Sequence, residues 1–175
     1  NVQFVYPDFV LPQEYKDETD FETVFVDLDV KPLPALTAWL TGESYHVKRF
    51  INQQMKNKLA EILKKEEFDI VQMESIFLTP YVPLVRKLSK AKVVLRSPNV
   101  ENMIWKRTYK ATKNPLKRYY LKHLALTLEY YEKENINQYD AIFPVTDVDA
   151  NYFIENGYRK LCKAVAVGIE TPEFI

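Results

Sequence analysis

Four short segments of this chain gather side chains suited to holding a polar ligand. They are Glu74-Ser75, Arg96-Ser97-Pro98-Asn99-Val100-Glu101, Thr146-Asp147 and Gly168-Ile169-Glu170. Carboxylates accept hydroxyl protons, a guanidinium grips phosphate, and the Asn99 amide both donates and accepts. Gly168 reads first as a residue that serves backbone conformation, and a glycine there also lets a ligand approach closely. Together they suit a polyhydroxylated or phosphorylated ligand. Each also has a structural use. Thr146 or Asp147 fits as the cap of a following helix, and so does Ser97 or Asn99, with Glu101 in the first turn. Arg96 fits as an ion-pair partner of Glu74 or Glu101.

Other chemistries are poorly supplied. The one cysteine, Cys162, allows neither an internal disulfide nor a cysteine-cluster metal site, and reads as a small buried residue. The two histidines, His46 and His123, argue against a histidine zinc site and read as surface or half-buried. No Ser-His-Asp or Cys-His arrangement is apparent. Three glycines leave no glycine-rich phosphate loop, neither Walker A nor GxGxxG, and with so few cysteines and histidines no cofactor and no metal is expected.

The segments gain meaning from the elements that must carry them. The chain has 175 residues, 47% apolar and 27% charged, which fits one globular domain with a real core. Strand-like runs occur at residues 2–6, 22–29, 68–73, 92–95, 141–145 and 163–167, with Pro144 awkward in a central strand. Helical spacing occurs over 47–64, 100–112, 115–137 and 147–156. Thr79-Pro80 supplies a cap and a first-turn proline for a further helix ending near Lys90. In the 115–137 helix, Leu121, Leu124, Ala125 and Leu128 form one apolar face. This alternation predicts an α/β fold with a mainly parallel sheet flanked by helices. Ligands of such sheets bind beyond the carboxyl ends of the strands, where all four segments fall.

Charge is balanced overall, 24 bases against 24 acids, but not locally. Residues 1–30 carry eight acids and one base, whereas residues 102–128 carry seven bases and no acid. The asymmetry points to an anionic partner or to two solvated faces that attract each other. Nucleic acid is not indicated, because no recognition motif accompanies the bases. The chain opens on Asn1 directly into VQFVY and closes just after Gly168-Ile169-Glu170-Thr171-Pro172, which reads as a piece of a longer protein.

Five passages resemble the N-terminal half of a GT-B glycosyltransferase of the group-1 type, the large retaining family 4. They are FDIVQMESIFLTPY at 68–81, VVLRSPNVENMIWKR at 93–107, NPLKRYYLKHLALTLEYYE at 114–132, DAIFPVTDVDANYFIENG at 140–157 and VAVGIETPEF at 165–174. The resemblance implies that 1–175 is a single Rossmann-like, acceptor-binding domain, one half of a GT-B architecture. It implies that 168–175 begins the linker to a C-terminal domain holding the nucleotide-sugar donor. Such an enzyme moves a hexose to a glycan or lipid-linked acceptor without a bound metal, in the cytoplasm or at the inner face of the membrane, in polysaccharide biosynthesis. The half-enzyme alone is expected to be inactive. The resemblance casts Glu74, Ser75, Arg96, Asn99, Glu101, Thr146, Asp147 and Gly168 as substrate contacts and assigns no catalytic residue.

Two departures from the family stand out. Its first strand and glycine-rich loop have no counterpart here, and Pro98 stands where many relatives carry a histidine. Lipid-linked acceptors would also give the basic, aromatic stretch 102–123 a use in peripheral membrane contact, with Trp105, Tyr109, Tyr119 and Tyr120 interleaved among its bases. An ordinary exposed basic helix pair explains the same stretch. The alternative to an enzyme half is a non-catalytic α/β module that binds a ligand or a protein.

Overall fold

The computed structural model describes residues 2–5, 22–27, 29 and 31–168. Two parallel strands open it, β1 (Val2–Val5) and β2 (Glu22–Phe25), paired with each other in a sheet of their own. The main sheet holds β3 (Ile70–Met73), β4 (Lys92–Ser97), β5 (Ala141–Pro144) and β6 (Leu161–Cys162), in that order and all parallel. The helices are α1 (Pro32–Thr41), α2 (Tyr45–Lys48), α3 (Gln53–Lys65), α4 (Val82–Leu88), α5 (Glu101–Ala111), α6 (Pro115–Asn135) and α7 (Asp147–Glu155). Short 3-10 turns occupy Ile76–Tyr81 and Ile136–Gln138. The result is an α/β chain with a parallel sheet flanked by helices, consistent with a Rossmann-like fold.

Successive side chains point to opposite faces of a strand. One face of the main sheet sends Met73, Val93, Leu95 and Ile142 into a core shared with Met55 and Leu63 of α3, Val82 and Val85 of α4, and Phe153 of α7. The opposite face carries Ile70, Gln72, Phe143 and Leu161 and lines an open groove of about 450 Å³. Ile70 and Leu161 are exposed there. A second, smaller core joins Ala38 of α1, Tyr45 of α2, and Leu121 and Leu124 of α6, with Trp105 and Tyr109 of α5 packed against it.

Several expected elements take a different form. The helix expected over 47–64 is broken. Asn52 sits in extended backbone, and its side chain accepts hydrogen bonds from the N–H groups of Gln54 and Met55, starting α3 afresh. Thr79 does not cap a helix. Its hydroxyl is buried, donating to the Ile76 carbonyl at 2.6 Å and lying 2.6 Å from the Tyr139 hydroxyl, while Pro80 falls inside a 3-10 turn. The strand expected over 163–167 forms earlier, at Leu161–Cys162, although the chain beyond it stays beside β5 through the Val165 N–H on the Pro144 carbonyl at 2.7 Å. Pro144 is accommodated as the last residue of β5. His46 is buried at 6% exposure rather than superficial, with its ring 4.0 Å from that of Trp105. Cys162 is only half-buried. The linker expected from 168 lies, beyond Gly168, outside the described residues.

Candidate functional site

The register of the main sheet decides which segments meet. Met73 pairs with Leu95, and Ser97 with Pro144, so the carboxyl ends of β3, β4 and β5 share one edge. Glu74-Ser75, the 96–101 loop and Thr146-Asp147 therefore emerge side by side. Gly168 follows β6 by six residues of non-regular chain and is exposed, with open space where a Cβ would stand. Its neighbour Glu170 lies outside the described residues.

At this edge Arg96 reaches back to Glu74, with Nη1 2.8 Å from Oε2. Both side chains are substantially exposed, so the pair is weak in water and opens at little cost to a competing anion or hydroxyl. Gln72 adds a second donor to Glu74 through its side-chain amide. Ser75 turns inward. Its hydroxyl accepts the Phe77 N–H at 3.3 Å and starts the 3-10 turn. The Thr146 hydroxyl caps α7, accepting the Asp149 N–H at 3.1 Å and donating to the Asp149 carboxylate at 2.7 Å. Asp147 occupies the first turn of α7, exposed, where a negative charge favours the helix dipole.

The 96–101 loop holds one surprise. Neither Ser97 nor Asn99 caps α5. The Ser97 hydroxyl instead donates to the Asn99 carbonyl at 2.7 Å, closing the loop on itself, and the cap position falls on Val100, which offers no polar side chain. The missing acceptor comes from elsewhere. Glu132 of α6 takes the Asn102 backbone N–H at 3.1 Å on one carboxylate oxygen and the Asn102 side-chain amide on the other. Nothing local in the sequence marks Glu132, because its partner lies 30 residues away. Asn99 is exposed, and Glu101 is half-buried, its pKa raised by that burial.

Glu74, Arg96, Asn99 and Asp147 thus share an exposed edge of mixed charge, with Glu101 partly withdrawn beside them. Ser75 and Thr146 are spent on capping. Among the described residues no group of three His, Cys, Asp or Glu side chains is placed to hold a metal ion. The arrangement is suited chemically to binding and orienting a hydroxylated or phosphorylated ligand. The chain matches no protein-family model and no curated protein.

Proposed function

We propose that this chain is the acceptor-binding half of a retaining glycosyltransferase. The parent enzyme transfers a hexose from a nucleotide-sugar to a glycan or lipid-linked acceptor, in the cytoplasm or at the inner face of the membrane. The observation that carries this reading is the exposed Glu74–Arg96 pair beside Asn99 and Glu101 at the carboxyl edge of a parallel sheet, within passages that resemble that family. Retaining transfer passes through an oxocarbenium-like state as the nucleoside diphosphate leaves. The leaving phosphates are stabilised from the donor domain. This half holds the acceptor hydroxyl on the same face of the sugar from which the nucleoside diphosphate leaves, which is an orientation effect. Glu74 and Asn99 accept from sugar hydroxyls, and Arg96, once released from Glu74, contacts an anionic part of donor or acceptor. With Pro98 in place of a histidine, the 96–101 loop lacks that ring's contact to sugar or diphosphate, and its part in this proposal is to position.

The test is donor and acceptor screening on the full gene product, parent against Arg96→Ala. Transfer in the parent and a rise in acceptor KM in the variant are expected. Absence of transfer with every nucleotide-sugar, together with tight ligand or protein binding by this domain, would establish the non-catalytic module instead. Pro98, standing where many of the family carry a histidine, is the observation that favours that second reading.

The same proposal includes an anionic membrane surface as the place of work. Among the described residues no helix is long and apolar enough to cross a membrane, and the contact proposed is a peripheral one. Trp105 and Tyr109 are packed into the small core and cannot insert. Leu116 is 82% exposed, however, and Tyr119 is exposed beside it on α6. α1 lies against α6, with the Trp39 ring edge-on to His123 at 6.1 Å, and exposes Leu33, Leu36 and Leu40. Of the seven bases over 102–128, Lys106 is paired with Glu129 at 2.8 Å, and the described ion pairs include none of the other six. Bases beside exposed leucine and tyrosine suit the boundary of an anionic bilayer. Sedimentation with phosphatidylglycerol vesicles should pull the chain down at low salt and release it at high salt. Equal recovery with neutral vesicles, or none at any salt, refutes the contact.

A further inference from the structure

Three helices send one side chain each to a single point behind the candidate site, Asn102 and Glu132 buried and Tyr152 half-buried. Asn102 of α5 is fully buried at 0% exposure, and Glu132 of α6 is 3% exposed. Asn102 gives its backbone N–H and its side-chain amide to the two oxygens of Glu132, and its amide also donates to the Tyr152 hydroxyl of α7 at 2.7 Å. The Asn102 side-chain carbonyl has no partner. The charged groups nearby are accounted for separately. Lys106 and Lys133 both engage Glu129, at 2.8 Å each, and Glu101 and Glu129 act on Glu132 as like charges. Glu132 therefore has no cation of its own among the described ion pairs, and Asn102 is its principal partner. Keeping an acid there costs desolvation unless N–H donors answer it.

What the acid gains is specific. An N-terminal helix turn leaves backbone N–H groups without acceptors, and α5 has no polar residue of its own at the cap. Glu132 supplies that acceptor from another helix. α5 is entered directly from the 96–101 loop, and α7 directly from Thr146 after β5. We infer that the Glu132–Asn102–Tyr152 cluster is a positioning device, which locks the loop carrying Asn99 and Glu101 and the loop before α7 into one arrangement at the carboxyl edge of the sheet. Calling these loops the ligand side rests on the proposed function, but the clasp itself does not. Glu132 touches no ligand, and it acts through the backbone of Asn102.

The test is amide hydrogen exchange on this chain, read in peptides over 97–104 and 146–153, with 82–88 in α4 as the control. Glu132→Gln keeps the volume and one oxygen but sets one amide group against another. Exchange over 97–104 should accelerate at least about tenfold, as for loss of a hydrogen bond to a charged group, while the control stays within about twofold. Tyr152→Phe removes only a hydroxyl and should accelerate both loop peptides about fivefold. It carries the test if the first variant fails to fold. In the parent, the Asn102 amide resonance should titrate together with the Glu132 carboxyl carbon, and in Glu132→Gln it should be flat with pH. Unchanged exchange in the loops, an equal rise in the control, or an Asn102 resonance blind to Glu132 would overturn the inference. None of these measurements involves a sugar, so failure of the transferase reading and failure of the clasp remain distinguishable.

Discussion

His46 and Glu132 make opposite demands on pH, and their combination gives a sharp prediction. His46 is buried against Trp105, with Arg49 adding positive charge nearby. Burial first, and then Arg49, lower its pKa to about 4. Unfolding restores it to 6.5. Between those values the unfolded chain binds a proton that the folded chain refuses, so stability rises with pH. Glu132 behaves the other way. Burial raises its pKa to about 7, opposed by its two bonds from Asn102 and reinforced by Glu101 and Glu129. Unfolding returns it to 4.5, so between about 4.5 and 7 the folded chain binds the extra proton and stability falls as pH rises. The windows overlap from 4.5 to 6.5, about two pH units at ~1.4 kcal/mol each. Each group therefore contributes about 3 kcal/mol of slope, in opposite senses, and the parent chain should show a nearly flat profile. Urea unfolding at half-unit steps from pH 4.5 to 7 measures it. His46→Phe keeps a ring on Trp105 and should leave stability falling by about 3 kcal/mol across the window. Glu132→Gln should leave it rising by a similar amount. Glu101, raised by burial, adds to the falling slope and His123, lowered by burial, to the rising one, so the two single variants keep their opposite signs. The acids held below their usual range, such as Asp140 beside Val93 and Arg86, act in more acidic solution. If either single variant gives a flat profile, or if both slopes have the same sign, the argument is wrong.

Three further outcomes are expected. Asn52→Ala removes the acceptor for the N–H groups of Gln54 and Met55 and a donor to the Phe25 carbonyl at 3.0 Å, and should cost about 1–2 kcal/mol in a denaturant titration. Thr79→Val leaves the Tyr139 hydroxyl without its 2.6 Å partner inside the core, and should cost about 1–3 kcal/mol by the same measurement. Glu74→Gln loosens an exposed ion pair and should change stability by less than about 0.5 kcal/mol while altering ligand affinity at the sheet edge, which titration with acceptor fragments would detect.

The long, strongly periodic elements were legible in the sequence. α5 and α6 lie within two residues of their expected bounds, because Asn114-Pro115 is an unambiguous stop and start and the Leu121-Leu124-Ala125-Leu128 face is buried as its spacing implies. β3, β4 and β5 were equally plain, and with them the edge that gathers the candidate residues. α1 was not foreseen. Its two prolines and its exposed leucines look like a loop, although Pro32 at its start and Gly42 in the left-handed region at its end are the expected marks of a helix. The apolar spacing through Val47, Ile51 and Met55 concealed the break at Asn52, since periodicity carries no information about a side chain that caps. Glu132 was beyond reach for a different reason. In EYYEKE it looks like a solvated charge, and only the packing of α5 on α6 shows that one of these acids faces inward.

The open face of the main sheet has a thermal consequence. A parallel sheet with both faces covered returns a large apolar area to water when it unfolds, and that area sets the heat-capacity step. Here Ile70 and Leu161 already meet solvent in the folded chain, and Phe143 is only half-covered. Those side chains add little to the step on unfolding. Calorimetry of this chain should accordingly give a heat-capacity increment below the usual ~12–15 cal/mol/K per residue, and hence a flatter dependence of stability on temperature.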